Sequence, residues 1–126
     1  MDKRLKQFEK KSFLNLESFR KSGLGVKTPV WFTQNDETLY VRTVAGSGKV
    51  KRIKNNGEVQ IVPCKANGLP TGDWVAAHAV EVTDPESADL VRRLLEKKYG
   101  TVQVKAFAAM TALRKEKYTV LKIQLQ

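Results

Sequence analysis

The chain has 126 residues, 41% of them hydrophobic and 29% charged, with a formal net charge of +10. This is a folded rather than a disordered composition, long enough for one core and short for two, so residues 1–126 are expected to form a single domain. One cysteine and one histidine exclude an internal disulfide, a cysteine-based structural zinc site and a histidine pair on a metal.

No apolar run approaches the ~20 residues that span a bilayer, and Met1-Asp2-Lys3-Arg4-Leu5-Lys6 lacks the apolar stretch of a signal peptide. The expectation is a soluble, cytoplasmic protein without a membrane partner, whose basic excess favours an anionic ligand.

In chain order, residues 2–10 place Leu5 and Phe8 three apart among charges, as in a short amphipathic helix. Residues 13–19 alternate loosely and read as a strand. After Gly23 and Gly25, residues 26–33 form a strand whose Pro29 belongs at an edge or bulge, because proline offers no N–H to a ladder. A polar turn at Asn35, Asp36 and Glu37 leads into the strand 38–44, so the two runs read as a hairpin.

Residues 49–55, free of Gly and Pro, form a helix with Ser47 as N-cap, stopped at Asn55, Asn56 and Gly57. Strand 59–64, a loop over 65–72 and strand 74–82 follow. The clearest helix covers 85–99. Asp84 caps it, Pro85 opens it, Ala88, Val91, Leu95 and Tyr99 share a face, Lys97 and Lys98 occupy the last turn, and Gly100 ends it. An Ala-rich helix over 104–113 and an alternating strand over 118–125 complete the plan. About six short strands with inserted helices imply a mainly β fold, a small barrel with helical additions.

The most informative stretch is 42–56, where Arg42, Lys49, Lys51, Arg52 and Lys54 surround Gly46-Ser47-Gly48 without an acid. A strand that turns through small residues into a helix start leaves backbone N–H groups free, and the helix dipole adds positive potential there. Such a turn suits a phosphate. It is not a Walker A loop, which needs glycine at Thr43 and Ser or Thr at Val50. Nor is it a dinucleotide fingerprint, whose third glycine falls on Lys51; the pair Gly23 and Gly25 fails likewise at Thr28.

With strands and turn in place, residues 26–32 and 41–56, Pro63-Cys64, and Lys97-Lys98-Tyr99-Gly100 resemble the pyridoxamine-phosphate-oxidase-like family over nearly the whole chain. More narrowly, Lys27-Thr28-Pro29-Val30-Trp31-Phe32, Arg42-Thr43, Ser47-Gly48-Lys49-Val50-Lys51-Arg52 and Asn55-Asn56 are similar to its small deazaflavin (coenzyme F-420)-dependent oxidoreductases. The resemblance implies a six-stranded split β-barrel of the FMN-binding type. It also implies a homodimer with two cofactor sites at the subunit interface, each holding FMN or the deazaflavin along the hairpin.

On matching positions it implies that Thr43, Ser47, Gly48 and Lys49 form the phosphate-binding strand and turn, with Arg42 among the cofactor-binding residues and Lys51 and Arg52 as auxiliary cations. Lys27, Thr28, Pro29 and Val30 would lie along the isoalloxazine edge. Gly57-Glu58 departs from relatives, which commonly carry Pro after the paired Asn. The chain ends at Gln126, before the C-terminal extension with which the larger oxidases bind substrate, so vitamin B6 oxidation is not expected.

The implied function is an oxidoreductase that passes hydride to a small organic substrate. The cofactor carries the chemistry, and no catalytic side chain and no metal are assigned. A non-catalytic flavin or tetrapyrrole binder on the same fold is the alternative. A nucleic-acid partner is not expected, since residues 49–56 interleave no aromatic with their cations. His78, mid-strand beside alanines, is expected to pack in a core or interface. Cys64, with Lys65 its one cationic neighbour, is not expected to be an activated thiolate. Trp31 and Trp74 are assigned to packing.

Overall fold

In the computed structural model, which describes residues 2–126, the strands are β1 (Phe13–Phe19), β2 (Gly25–Val30), β3 (Thr33–Asn35), β4 (Thr38–Val44), β5 (Glu58–Cys64), β6 (Val75–Val82) and β7 (Tyr118–Leu125). All pair antiparallel in one sheet, in the order β2-β1-β5-β6-β7-β4-β3. The two outermost strands, β2 and β3, are consecutive in the chain and separated by only Trp31 and Phe32. Because a chain advances at most ~3.6 Å per residue, the sheet must curl until its edges meet at that corner. The result is the split barrel expected from the sequence, with helices inserted between strands.

The strand count differs from expectation. The run 26–33 is two strands, giving seven rather than six among the described residues. Pro29 does lie on an edge strand, opposite Asn15, but the chain bends after it, because Phe32 turns inward to 1% exposure and meets Phe8 edge-on at 6.0 Å. The hairpin is therefore shorter than expected. Thr33, Gln34 and Asn35 pair with Tyr40, Leu39 and Thr38, while β2 pairs with β1.

The main core is built from Leu14, Leu16, Leu39, Val41, Ile61, Leu121 and Ile123 of the sheet. Val50 and Ile53 of helix α1 (Gly48–Asn55) and Leu5 and Phe8 of the N-terminal segment close it. That segment, Lys3–Phe8, is a 3-10 helix, whose three residues per turn stack Leu5 and Phe8 directly on one face. A second cluster lies on the other side of the sheet. There Val91 and Leu95 of α2 (Pro85–Tyr99) and Val104 of α3 (Thr101–Leu113) pack on Tyr40 and Val120. Alternation along β4 thus sends Leu39 and Val41 to one core and Tyr40 to the other.

Helix α2 starts and stops where its residues dictate: the Asp84 carboxylate accepts from Ser87 N at 2.9 Å, and Gly100 leaves the helix at φ +98°. Its last turn ties the barrel corner. The Tyr99 hydroxyl accepts from Phe32 N at 3.1 Å and lies 2.9 Å and 2.7 Å from the carbonyl oxygens of Phe32 and Ser12. Lys98 Nζ donates to Phe32 O at 2.8 Å. Helix α3 begins three residues earlier than expected and buries Val104, while Val102 and Leu113 are 83% and 84% exposed. Among the described residues no helix is long and apolar enough to cross a membrane.

Candidate anion and cofactor site

Gly46 makes the turn between β4 and α1 at φ +78°, a region glycine enters without a Cβ penalty. Ser47 follows as N-cap with extended backbone, as expected, yet its hydroxyl makes no bond to the helix. The first intrahelical bond runs from Lys51 N to Ser47 O at 3.1 Å, so the amides of Gly48, Lys49 and Val50 precede it and have no acceptor within the helix. Ser47 Oγ is buried with no partner among the described residues. A hydroxyl so placed costs about 1–3 kcal/mol unless something answers it, and an anionic oxygen at this turn would do so.

Two cations close on the same turn. Lys49 Nζ donates to Thr43 Oγ1 at 3.1 Å, and burial, with Arg52 beside it, pushes its pKa down. Arg52 Nε donates to Ser18 Oγ at 2.7 Å. Its guanidinium crosses Gly48, where a Cβ would stand 2.9 Å from Nη1. Burial and the nearby Arg20 lower its pKa also. Among the described residues neither cation has a carboxylate within ion-pair reach, so each is held where its charge lacks compensation. Lys54, by contrast, pairs with Glu81 at 3.2 Å, and Lys51 faces solvent.

The partner of Arg52 also locates the cradle within the sheet. Ser18 is opposite Val26 in the β1–β2 ladder, so Arg52, the outer cation of the cradle, is anchored on the strand next to β2. Strand β2 carries Lys27, Thr28, Pro29 and Val30 along a sheet edge with no strand beyond it among the described residues, so its outward peptide groups are not used by a ladder. Lys27 Nζ lies 5.3 Å from the Trp74 ring centroid. Thr43, Ser47, Gly48, Lys49 and Arg52 are thus brought together, while residues 27–30 lie on the strand beyond the one that anchors Arg52.

Arg42 is not among them. As the neighbour of Thr43 on a strand it projects from the opposite face, with its guanidinium carbon 4.0 Å from the Tyr118 ring centroid. Strand periodicity alone separates these two residues. Ser18, far upstream, carries no sequence signal of its role. His78, expected in a core or interface, is exposed on β6 with Nδ1 3.4 Å from Glu58 Oε1. Cys64 is buried, and burial pushes its thiol pKa up, which keeps it protonated and inert.

The family model for pyridoxamine 5'-phosphate oxidase matches residues 1–126. This chain belongs to the pyridoxamine 5'-phosphate oxidase family. Among solved structures, this family member is similar to HutZ, the heme storage protein of Vibrio cholerae. The TM-score is 0.73 at 15% identity, over 98% of this chain and 88% of that one. Campylobacter jejuni ChuZ gives a TM-score of 0.72 at 16% identity, over 98% and 52% of the two chains. A FAD-binding protein of Mesorhizobium loti gives 0.64 at 14%, over 98% and 85%. At such identities the likeness is one of fold. No curated protein matches the sequence.

Proposed function

We propose that this pyridoxamine 5'-phosphate oxidase family member is an oxidoreductase that holds FMN or the deazaflavin coenzyme F-420 and delivers hydride to a small organic acceptor. The observation that carries this reading is the α1 turn, where a buried Ser47 hydroxyl without a partner among the described residues converges with free amides and with Lys49 and Arg52, the latter anchored on the strand next to the β2 edge. Thr43, Ser47, Gly48 and Lys49 would hold a phosphate, Arg52 a further anionic oxygen, and the peptide groups of residues 27–30 the ring edge. A bound flavin or deazaflavin supplies the hydride chemistry. The chain's own residues bind, orient and exclude water. The solvent-facing Lys51 favours the longer anionic tail of the deazaflavin.

A homodimer accompanies this reading, supported by the exposed apolar residues of α3. A haem-binding role is the second reading, motivated by the fold likeness to HutZ, with His78 as the single histidine. Haem addition followed at the Soret band separates it from the flavin reading.

The deciding experiment is parallel fluorescence titration with FMN and coenzyme F-420. Lys49→Ala is expected to weaken binding by about 1.5–3 kcal/mol, roughly 10- to 100-fold, with the far-ultraviolet circular dichroism unchanged. Equal affinity of wild type and variant would remove the phosphate assignment. Turnover with reduced cofactor then distinguishes an enzyme from a storage protein.

A further inference from the structure

Arg42 leaves the anion cradle for the layer between the sheet and the α2–α3 pair. There it borders a cavity of about 260 Å³ whose other walls are Val30, Trp31, Leu95, Phe107 and Tyr118. A smaller cavity of about 120 Å³ also touches Arg42 and Tyr118. The walls are flat and apolar. Trp31 stacks on Tyr99 at 4.1 Å with 6° between planes, and Phe107 meets Trp31 edge-on at 4.9 Å. Tyr118 is steadied by Thr111, whose Oγ1 lies 2.7 Å from its hydroxyl.

Arg42 supplies the one charge in this lining. Stacking on Tyr118 at 4.0 Å uses its face, the Tyr118 hydroxyl answers part of its N–H capacity, and the remaining in-plane N–H groups are left for a partner. Among the described residues it forms no ion pair. Glu96, the acid whose charge reaches it, is bound by Arg92 at 3.1 Å, and Arg92 itself repels it. Burial disfavours the cation here, and a guanidinium does not shed its proton to escape that cost.

A permanent cation without a counter-ion, set in an aromatic slot, matches a ligand with one flat apolar end and one carboxylate. The fork takes a carboxylate bidentately, and the rings take the apolar body by stacked or edge-on contact. An engineered apolar cavity of about 150 Å³ holds benzene, so this larger one has room for a one- or two-ring compound.

We propose that this cavity binds a planar aromatic carboxylate, with Arg42 as its anion-recognising residue, at a site separate from the α1 turn. Val30 is common to this lining and to the ring edge of the flavin reading, but the inference stands apart from that reading, since Arg42 and Phe107 lie outside the α1 turn and the carboxylate needs no cofactor to bind.

The test is fluorescence titration of the cofactor-free chain with 2-naphthoate and with neutral 2-naphthamide at fixed ionic strength. Wild type is expected to bind the carboxylate at least ~10-fold tighter than the amide. Arg42→Gln should abolish that preference, Phe107→Ala should weaken both ligands, and Lys49→Ala should leave the preference intact. Arg42→Lys, which keeps the charge and loses the fork, guards against a variant that fails to fold and should lose affinity several-fold. Equal binding of the two ligands by wild type, unchanged affinity in either Arg42 variant, or a preference lost with Lys49→Ala would each overturn the proposal. Flavin titration of the same variants keeps the two sites distinguishable: Arg42→Gln should lose naphthoate and retain flavin, and Lys49→Ala the reverse.

Discussion

Replacing Ser47 by alanine separates capping from ligand binding. At an ordinary N-cap this change costs about 1 kcal/mol because a bond to the helix is lost. Here no such bond exists, and among the described residues the hydroxyl is buried without a partner. Ser47→Ala is therefore expected to leave the apoprotein as stable as wild type or stabilise it by up to about 1 kcal/mol, while weakening flavin binding. Urea midpoints and flavin titrations on the same samples check both halves, and a destabilised apoprotein would mean that the hydroxyl is already bonded. Thr43, Ser47 and Lys49 are legible in the sequence because they sit within two turns of chain around Gly46 and Gly48. Arg52 is legible as a cation, but its anchor Ser18 is not, since only the folded sheet brings β1 against α1. Period-two alternation was sufficient to part Arg42 from Thr43, and a resemblance read position by position overlooks it.

Helix α3 presents its apolar side chains all round, with Val104 buried and Val102, Phe107, Met110 and Leu113 substantially exposed. An apolar surface of this kind is characteristic of a protein interface. For the homodimer proposed above, the double substitution Val102→Lys and Leu113→Lys is expected to shift sedimentation velocity from dimer to monomer without loss of helix by circular dichroism. A variant that sediments like wild type would exclude α3 from the interface. The contrast with α2 shows what a sequence makes readable at this scale. Asp84, Pro85 and Gly100 act within a few residues of the ends they define, so both bounds of α2 follow locally. The break of the 26–33 run does not. It is set by burial of Phe32 against Phe8, a contact between distant segments that no window contains.

At the scale of the whole molecule, Tyr99 links three otherwise separate parts: the last turn of α2, the corner at Phe32 and the backbone of Ser12 ahead of β1. Burial raises its phenol pKa from 10.0 to about 12. The folded pKa lies above the unfolded one, so the stability contributed by the neutral phenol is fully present below pH 10 and lost as pH rises toward 12. Tyr99→Phe is expected to lower stability by about 1–2 kcal/mol at neutral pH and to flatten this component of the alkaline decline. Urea midpoints across pH 9 to 12, compared with wild type, read both effects. A parallel decline in the two proteins would mean that Tyr99 titrates normally.

The position of β7 bears on how the sheet is joined. It is the last strand in the chain but lies inside the sheet, paired with β6 on one side and β4 on the other. Before it is in place, the β-structure consists of two unjoined ribbons, β2-β1-β5-β6 and β4-β3, each with an open edge toward the gap. Until β7 fills the gap, those edges carry unpaired backbone groups open to pairing with other chains. Strand β7 is thus the seam of the barrel, and local opening of this one segment would expose two edges at once.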